Sequence, residues 1–438
     1  MVRLIYSTLL RLALPLWLAR LWWRGKREPG YRQHFGERLG WGVHQTPGAL
    51  WVHAVSLGET RAAAPLIAAL RERLPGVPLL LTHGTATGRE AGRALLQRGD
   101  RQAWLPIDTP GAVRRFLARQ RPALGVLMET EVWPELQAQA ARAGVPMVLA
   151  NARLSERSQA KGRRLTRLMR PALAAMRCVL AQTEADAERL RALGAGDVRV
   201  MGNVKFDLVP REDLLALGRH VRLHLGRPVV LAAVTREGEE QALLDAWGAV
   251  PWACARPLLL IVPRHPQRFE EVAGLVHSAG LRLWRRSALA AAPSGPGGGS
   301  WDQLPVGAGE ADVWLGDSLG EMALYYGLAD AALLGGSFAP LGGQNLIESL
   351  ACGCPMVVGP HTFNFADATE GAVAAGAAYR VQSMPEAVDR LQQWLAPADA
   401  QAQTLRAASG RSFAAAHRGA AQRMALAVAQ LWPGAGRG

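Results

Sequence analysis

The 438-residue chain is poor in cysteine, and its four cysteines, Cys178, Cys254, Cys352 and Cys354, include no C-x-x-C pair. No histidine cluster accompanies them, so they are expected to be small buried residues in a reducing compartment. No D-x-D occurs, and no His/Asp cluster has metal-ligand spacing. A reaction with neither metal nor cofactor is therefore expected. No G-x-G-x-x-G lies near the N-terminus, which argues against a dinucleotide enzyme. There is no basic run interleaved with aromatics and no nucleic-acid module, so nucleic acid is not an expected partner. No small-residue cleavage site comes after the apolar N-terminus, which argues against a removed signal peptide.

Apolar residues and positive charge are plentiful. Hydrophobic residues make up 49% of the chain, enough for two cores of ordinary domain size. The formal net charge is +14, mostly from arginines spread along the chain. Such a balance favours acidic lipid or a phosphorylated substrate. Residues 4–23 are largely Leu, Ile, Ala and Trp, and about 20 helical residues cover a ~30 Å hydrocarbon core. Arg11 near the middle and Pro15 count against a simple span. Trp17, Trp22 and Trp23 suit an interface, and Arg24, Lys26, Arg27 and Arg32 would place the adjoining domain on the cytoplasmic side. Residues 1–25 therefore read as an uncleaved anchor, the alternative being an ordinary first helix.

Beyond residue 25, apolar strands alternate with amphipathic helices. Strands are predicted at 50–55, 78–84, 123–129, 146–151, 178–183 and 198–203. A linker at 207–213 comes next, then strands at 228–234, 257–265, 312–317, 329–337 and 354–360. The pattern predicts an α/β chain of two Rossmann-like, doubly wound domains facing a cleft, at 26–210 and 211–425. The stretch 287–311 reads as a surface loop, and 400–431 as helical. Ligands of such sheets bind beyond the carboxyl ends of the strands.

Several loops at those ends carry polar groups. In LWVHAVSLGE a strand gives way to Ser56 and a turn at Gly58, where glycine's backbone freedom is expected to matter, and Glu59 opens a helix. Glu59 suits a base on a rigid support, or a first-turn carboxylate that complements the helix dipole. METEVWP places Glu129 and Glu131 at strand spacing on one side. GNVKFD presents Lys205, and VPRHPQRF presents Arg264, His265 and Arg268, with Arg suited to phosphate or carboxylate. Gly336 and Ser337 end a strand in a glycine-rich loop whose free N–H groups could bind phosphate, or which is a structural turn. A helix from about Gln344 would put Asn345 and Glu348 on one face, within reach of ribose hydroxyls.

HAVSLGE, METEVWPE, NARLSERS, GNVKFD, VPRHPQRF, GDSLGEM, GGS…GGQNLIE and GPHTFNF together resemble, in order, the Kdo (3-deoxy-D-manno-octulosonate) transferases of the lipid A pathway. The chain departs from that pattern at Val234-Thr235-Arg236 and in the stretch 287–311. The resemblance implies a GT-B fold with an N-terminal membrane anchor. It implies an inverting, metal-free transfer of Kdo from CMP-Kdo to a lipid A precursor, in lipopolysaccharide biosynthesis. The site would be the cytoplasmic face of an anionic bacterial inner membrane. It further implies Glu59 as general base, Glu129 and Glu131 as a conserved acidic pair, and Lys205 with Arg264 as cationic contacts to donor phosphate and carboxylate; Ser56, Gly58 and Lys205 would also support the active site. Arg264, His265, Gly336, Ser337, Asn345 and Glu348 would hold the donor. A GT-B enzyme using a UDP-sugar for a lipid-linked acceptor is the alternative.

Overall fold

The computed structural model describes residues 1–252, 256–290 and 307–433. Cys254 and most of the stretch 287–311 lie outside the described residues. The chain forms two compact units, Met1–Leu208 with His417–Gly438, and Val209–Ala416.

The first unit is built on seven strands: β1 (Ala49–His53), β2 (Leu79–His83), β3 (Arg101–Trp104), β4 (Pro122–Met128), β5 (Met147–Ala152), β6 (Cys178–Ala181) and β7 (Val198–Val200). All pair in parallel, in the order β3-β2-β1-β4-β5-β6-β7. Both faces of β1 are buried, and its side chains alternate between two cores. Leu50 and Val52 pack with Leu66 and Leu70, whereas Ala49 and Trp51 pack with Phe116 and Leu127. Trp51 lies level with Gly125 of β4, where a Cβ would come within 2.9 Å of the indole. Gly125 therefore has a packing reason: no larger residue fits beneath that ring.

The second unit repeats the plan with β8 (Val229–Thr235), β9 (Leu258–Pro263), β10 (Leu283–Arg285), β11 (Val313–Leu315), β12 (Ala331–Leu334), β13 (Met356–Val358) and β14 (Ala378–Arg380). Their order is β10-β11-β9-β8-β12-β13-β14. The strand order reverses between β1 and β4 in the first sheet and between β8 and β12 in the second. Doubly wound sheets open a ligand crevice at such a reversal.

The C-terminal segment departs from the expected boundary at residue 425. Helix Ala400–Ala416 belongs to the second unit, but His417 onward returns to the first. Helix Ala420–Gln430 has an apolar stripe, Ala421, Met424, Ala425 and Val428, that is buried in the core with Leu66 and Leu70. The Asp207 carboxylate caps this helix, accepting from the backbone N–H groups of Gly419 and Ala421.

Helix Val2–Arg24 lies along the first unit. Near its start, Tyr6 Oη donates to Asp108 at 2.8 Å and Ser7 Oγ to Glu135 at 3.1 Å. Near its end, Leu21 is buried, Trp22 packs edge-on against Phe35, and Arg32 Nε donates to the Trp22 carbonyl at 3.0 Å. Leu4, Ile5, Leu9, Leu12, Leu16, Trp17, Trp22 and Trp23 are exposed on it. The helix is long and apolar enough to cross a membrane.

Met424→Ala should destabilise the first unit by about 2–5 kcal/mol, the usual cost of a cavity in a closed core. The measurement is the urea midpoint of unfolding.

Candidate active site

At the reversal in the first sheet, the loops after β1 and β4 meet. Ser56 caps helix Leu57–Arg73, its Oγ accepting from the Glu59 N–H at 3.4 Å. Glu59 Oε2 reaches back to accept from the Val55 N–H at 2.8 Å. This is close to a capping box. The helix-terminus role and the catalytic role considered for Glu59 are therefore compatible, because the cap fixes the carboxylate in place. Gly58 differs from expectation. It lies inside the helix without a positive φ, and a Cβ there would meet nothing nearer than Ser56 Oγ at 3.9 Å. What its missing side chain supplies is open surface beside Glu59, not a special turn.

Glu129 and Glu131 also reach their places by another route than strand alternation. β4 ends at Met128, and Glu129 sits in a turn with φ +56°. Its carboxylate pairs with Lys205 Nζ at 2.8 Å. Glu131 Oε2 accepts from Trp133 Nε1 at 2.7 Å. Asn151, also at positive φ (+52°), accepts through Oδ1 from the Val204 N–H at 3.1 Å and so ties β5 to the turn that carries Lys205.

These neighbours set the charge state of Glu59. Burial pushes its carboxyl up to about 7, and the negative charges of Glu129 and Glu131 push the same way. The Val55 N–H and Lys205 oppose the rise. A carboxylate poised near neutrality, on a rigid cap beside open surface, is equipped for proton abstraction. Beneath it, His83 is pushed down to about 3, first by burial and then by His53. Its Nδ1–H donates to the Ala54 carbonyl at 3.0 Å, and Nε2 accepts from Gln102 at 3.0 Å.

At the reversal in the second sheet, the loop after β12 is organised by a residue the motif reading did not single out. Glu239, buried at the start of helix Glu239–Ala249, accepts from the N–H groups of Gly336 at 2.8 Å, Phe338 at 3.1 Å and Arg236 at 2.9 Å. The glycine-loop N–H groups expected to cradle phosphate are thus held by a carboxylate. The signal was present in the sequence, since an acidic residue opening a helix after a buried strand is placed to accept from a neighbouring loop. Ser337 is fully buried, with Oγ donating to the Leu334 carbonyl at 2.5 Å and accepting from the Gly359 N–H at 2.8 Å. Its hydroxyl locks the loop to the end of β13 and faces inward. The next helix runs Ile347–Cys352, so Asn345 precedes it and caps the Ile347 N–H at 3.1 Å, while Glu348 lies half-buried in its first turn.

Arg264 and His265 leave β9 as expected, with the Arg264 N–H donating to the Thr235 carbonyl at 3.0 Å. Partial burial and the guanidinium groups of Arg236, Arg264 and Arg268 push the His265 imidazole below its ordinary range. Arg268 is engaged by Glu240 at 2.7 Å and Glu271 at 2.6 Å, so it is a structural cation. Arg236 lies beside the Gly336 loop.

Because Glu59 is held protonated more readily in the folded chain than in the unfolded one, its ionisation costs stability as pH rises from about 4.5 to about 7. Glu59→Gln should therefore stabilise the protein above pH 7, and the gain should fade toward pH 4.5. Thermal midpoints across that range check the sign.

Comparisons with known proteins identify the family. A family model described as 3-deoxy-D-manno-octulosonic-acid transferase (kdotransferase) matches residues 33–208. The 3-deoxy-D-manno-octulosonic acid transferase of Bordetella pertussis is 48% identical, covering 97% of this chain and 98% of that one. That of Haemophilus influenzae is 33% identical over 89% and 90%. Among solved structures, the UDP-GlcNAc 2-epimerase from Neisseria meningitidis superposes with a TM-score of 0.55 at 14% identity, covering 88% of this chain and 99% of that one. That likeness shows the fold alone, which is of the GT-B class. The chain belongs to the 3-deoxy-D-manno-octulosonic acid transferase family of glycosyltransferases.

Proposed function

We propose that this transferase moves Kdo from CMP-Kdo to a lipid A precursor with inversion, and that Glu59 is the general base. The observation that carries the reading is the Glu59 carboxylate, fixed by the Val55 N–H and raised to about 7 beside Glu129, Glu131 and Lys205. An acceptor hydroxyl oxygen attacks the anomeric carbon and its proton passes to Glu59. The bond from that carbon to the phosphate oxygen breaks, and CMP leaves with the electron pair. Arg264 and Arg236 are the cations suited to the charge gained by CMP. Asn345 and Glu348 are the polar groups suited to the nucleoside. Ser337 supports the loop from inside.

The acceptor is an amphiphile, and helix Val2–Arg24 suits a membrane that carries it. Both ends of this helix are tied to the same unit, with about 24 Å of helix between Tyr6 and Trp22. A helix so tied lies in the interface plane, with its exposed Leu and Trp side chains toward the acyl chains and Lys26, Arg27 and Arg32 toward anionic headgroups. The site is then on the cytoplasmic face of the inner membrane.

With CMP-Kdo and tetra-acylated lipid A precursor, Glu59→Gln should lower kcat about 10²–10⁴-fold, the usual worth of a positioned base. The wild-type kcat/KM should fall below about pH 7, as the base form of Glu59 disappears. Transfer that persists in the variant would remove Glu59 from the chemistry. Transfer only from a UDP-sugar would overturn the donor.

Leu9, Leu12 and Leu16 replaced together by Ser should abolish flotation with vesicles containing phosphatidylglycerol. Transfer to a detergent-dispersed acceptor should remain. Unchanged flotation would exclude the helix as the membrane contact.

A further inference from the structure

Strand β1 carries a histidine that the proposed mechanism does not use. His53 is fully buried. Its Nδ1 lies 3.1 Å from the Thr82 carbonyl oxygen and 2.9 Å from Thr82 Oγ1. The Thr82 hydroxyl can donate to a bare Nδ1 or accept from Nδ1–H, so this end of the ring is satisfied in either state. Thr82 Oγ1 also accepts from Trp51 Nε1 at 2.8 Å, which holds the threonine in place.

The other ring nitrogen is the unusual one. Nε2 is buried and has no hydrogen-bond partner among the described residues. It stands 3.7 Å from Glu131 Oε2, the oxygen already fixed by Trp133. A bare Nε2 would set its lone pair against a carboxylate where solvent does not reach. A buried acceptor opposed to another acceptor is costly. One proton in the gap turns the opposition into attraction.

We propose that His53 is a positioning residue for the carboxylate cluster, its Nε2 carrying a hydrogen that faces Glu131 Oε2 across 3.7 Å. The other charged or titratable groups around the pair are Glu59 on its helix, Glu129 after β4, Lys205 after β7 and His83 on β2. Of these, Lys205 is paired with Glu129, and His83 is held neutral by burial. That N–H offsets part of the negative charge that Glu131 presents to Glu59, and it keeps the Glu131 carboxylate turned toward β1. The effect on rate rests on Glu59 being the base, whereas the proton itself is a property of the free protein.

Two measurements separate these levels. Long-range ¹H–¹⁵N spectra of the full chain, labelled at histidine and held in detergent, read the state of each ring nitrogen, with His53→Gln assigning the signal. The wild type should show a protonated Nε2 at pH 7, and Glu131→Gln should convert it to a bare Nε2 with Nδ1–H. A bare Nε2 in both proteins from pH 5 to 9 would overturn the proposal.

The second measurement is the pH profile of kcat/KM. His53→Asn can keep the bond to Thr82 but loses the group facing Glu131. It should move the acid limb alkaline by about 0.5–1 unit, the effect of losing a nearby compensating charge. The KM for donor should be unchanged. In a Glu131→Gln background the same change should move nothing. A limb that stays in place in folded His53→Asn would overturn the positioning role. An acid limb that survives Glu59→Gln would count against Glu59 as base and leave the spectroscopic result standing.

Discussion

The ion pair between Lys205 and Glu129 is the contact on which the first unit's site depends. Glu59, Glu129 and Glu131 crowd the crevice where β1 and β4 diverge, and the like charges there raise the affinity of Glu59 for a proton. Lys205 enters from the turn after β7, several strands away, and meets Glu129 at 2.8 Å. Its charge balances that of Glu129 and restrains the rise at Glu59. Without that cation Glu59 would keep its proton to higher pH. The turn carrying Lys205 is itself tied to β5 through Asn151 and to helix Ala420–Gln430 through Asp207. The returning C-terminal helix therefore belongs to the support of the site as well as to the core.

The second unit solves a related problem with the opposite charge. A glycine-rich loop at the end of a buried strand would leave N–H groups unsatisfied, and Glu239 takes them with one carboxylate. The loop is thereby rigid before any donor arrives. Arg236 stands beside that loop, and a guanidinium group suits phosphate and carboxylate geometry. Ser337 and Asn345 serve the same rigidity from inside the loop. In both units these loops are held by buried side chains reaching from neighbouring elements.

Much of this was legible from residue order. Long apolar runs such as LWVHAV and PLLLIVP become strands buried on both faces, and their alternation with helices dictates parallel sheets. The strands that escaped the reading, β3, β10 and β14, are three or four residues long and lie at sheet edges. Edge strands are half solvated, tolerate Arg101, Arg285 and Arg380, and so leave no continuous apolar signal. The C-terminal helix was read as helical, but nothing local says which of two cores its Met424 face will enter.

Sequence order alone determined the family, the two doubly wound units, the apolar N-terminal helix and the loops that bear polar groups, because each of these arises from local periodicity or from contiguous motifs. Tertiary structure decided which polar groups are spoken for. Arg268, Ser337 and the Gly336 N–H were candidates by type and position, and each is engaged by a partner distant in the chain or buried beneath the loop. His53 looked like one more strand residue until packing placed its Nε2 3.7 Å from Glu131. The reason is physical: hydrogen bonding and charge act over a few ångströms, and only the folded chain determines which groups come that close.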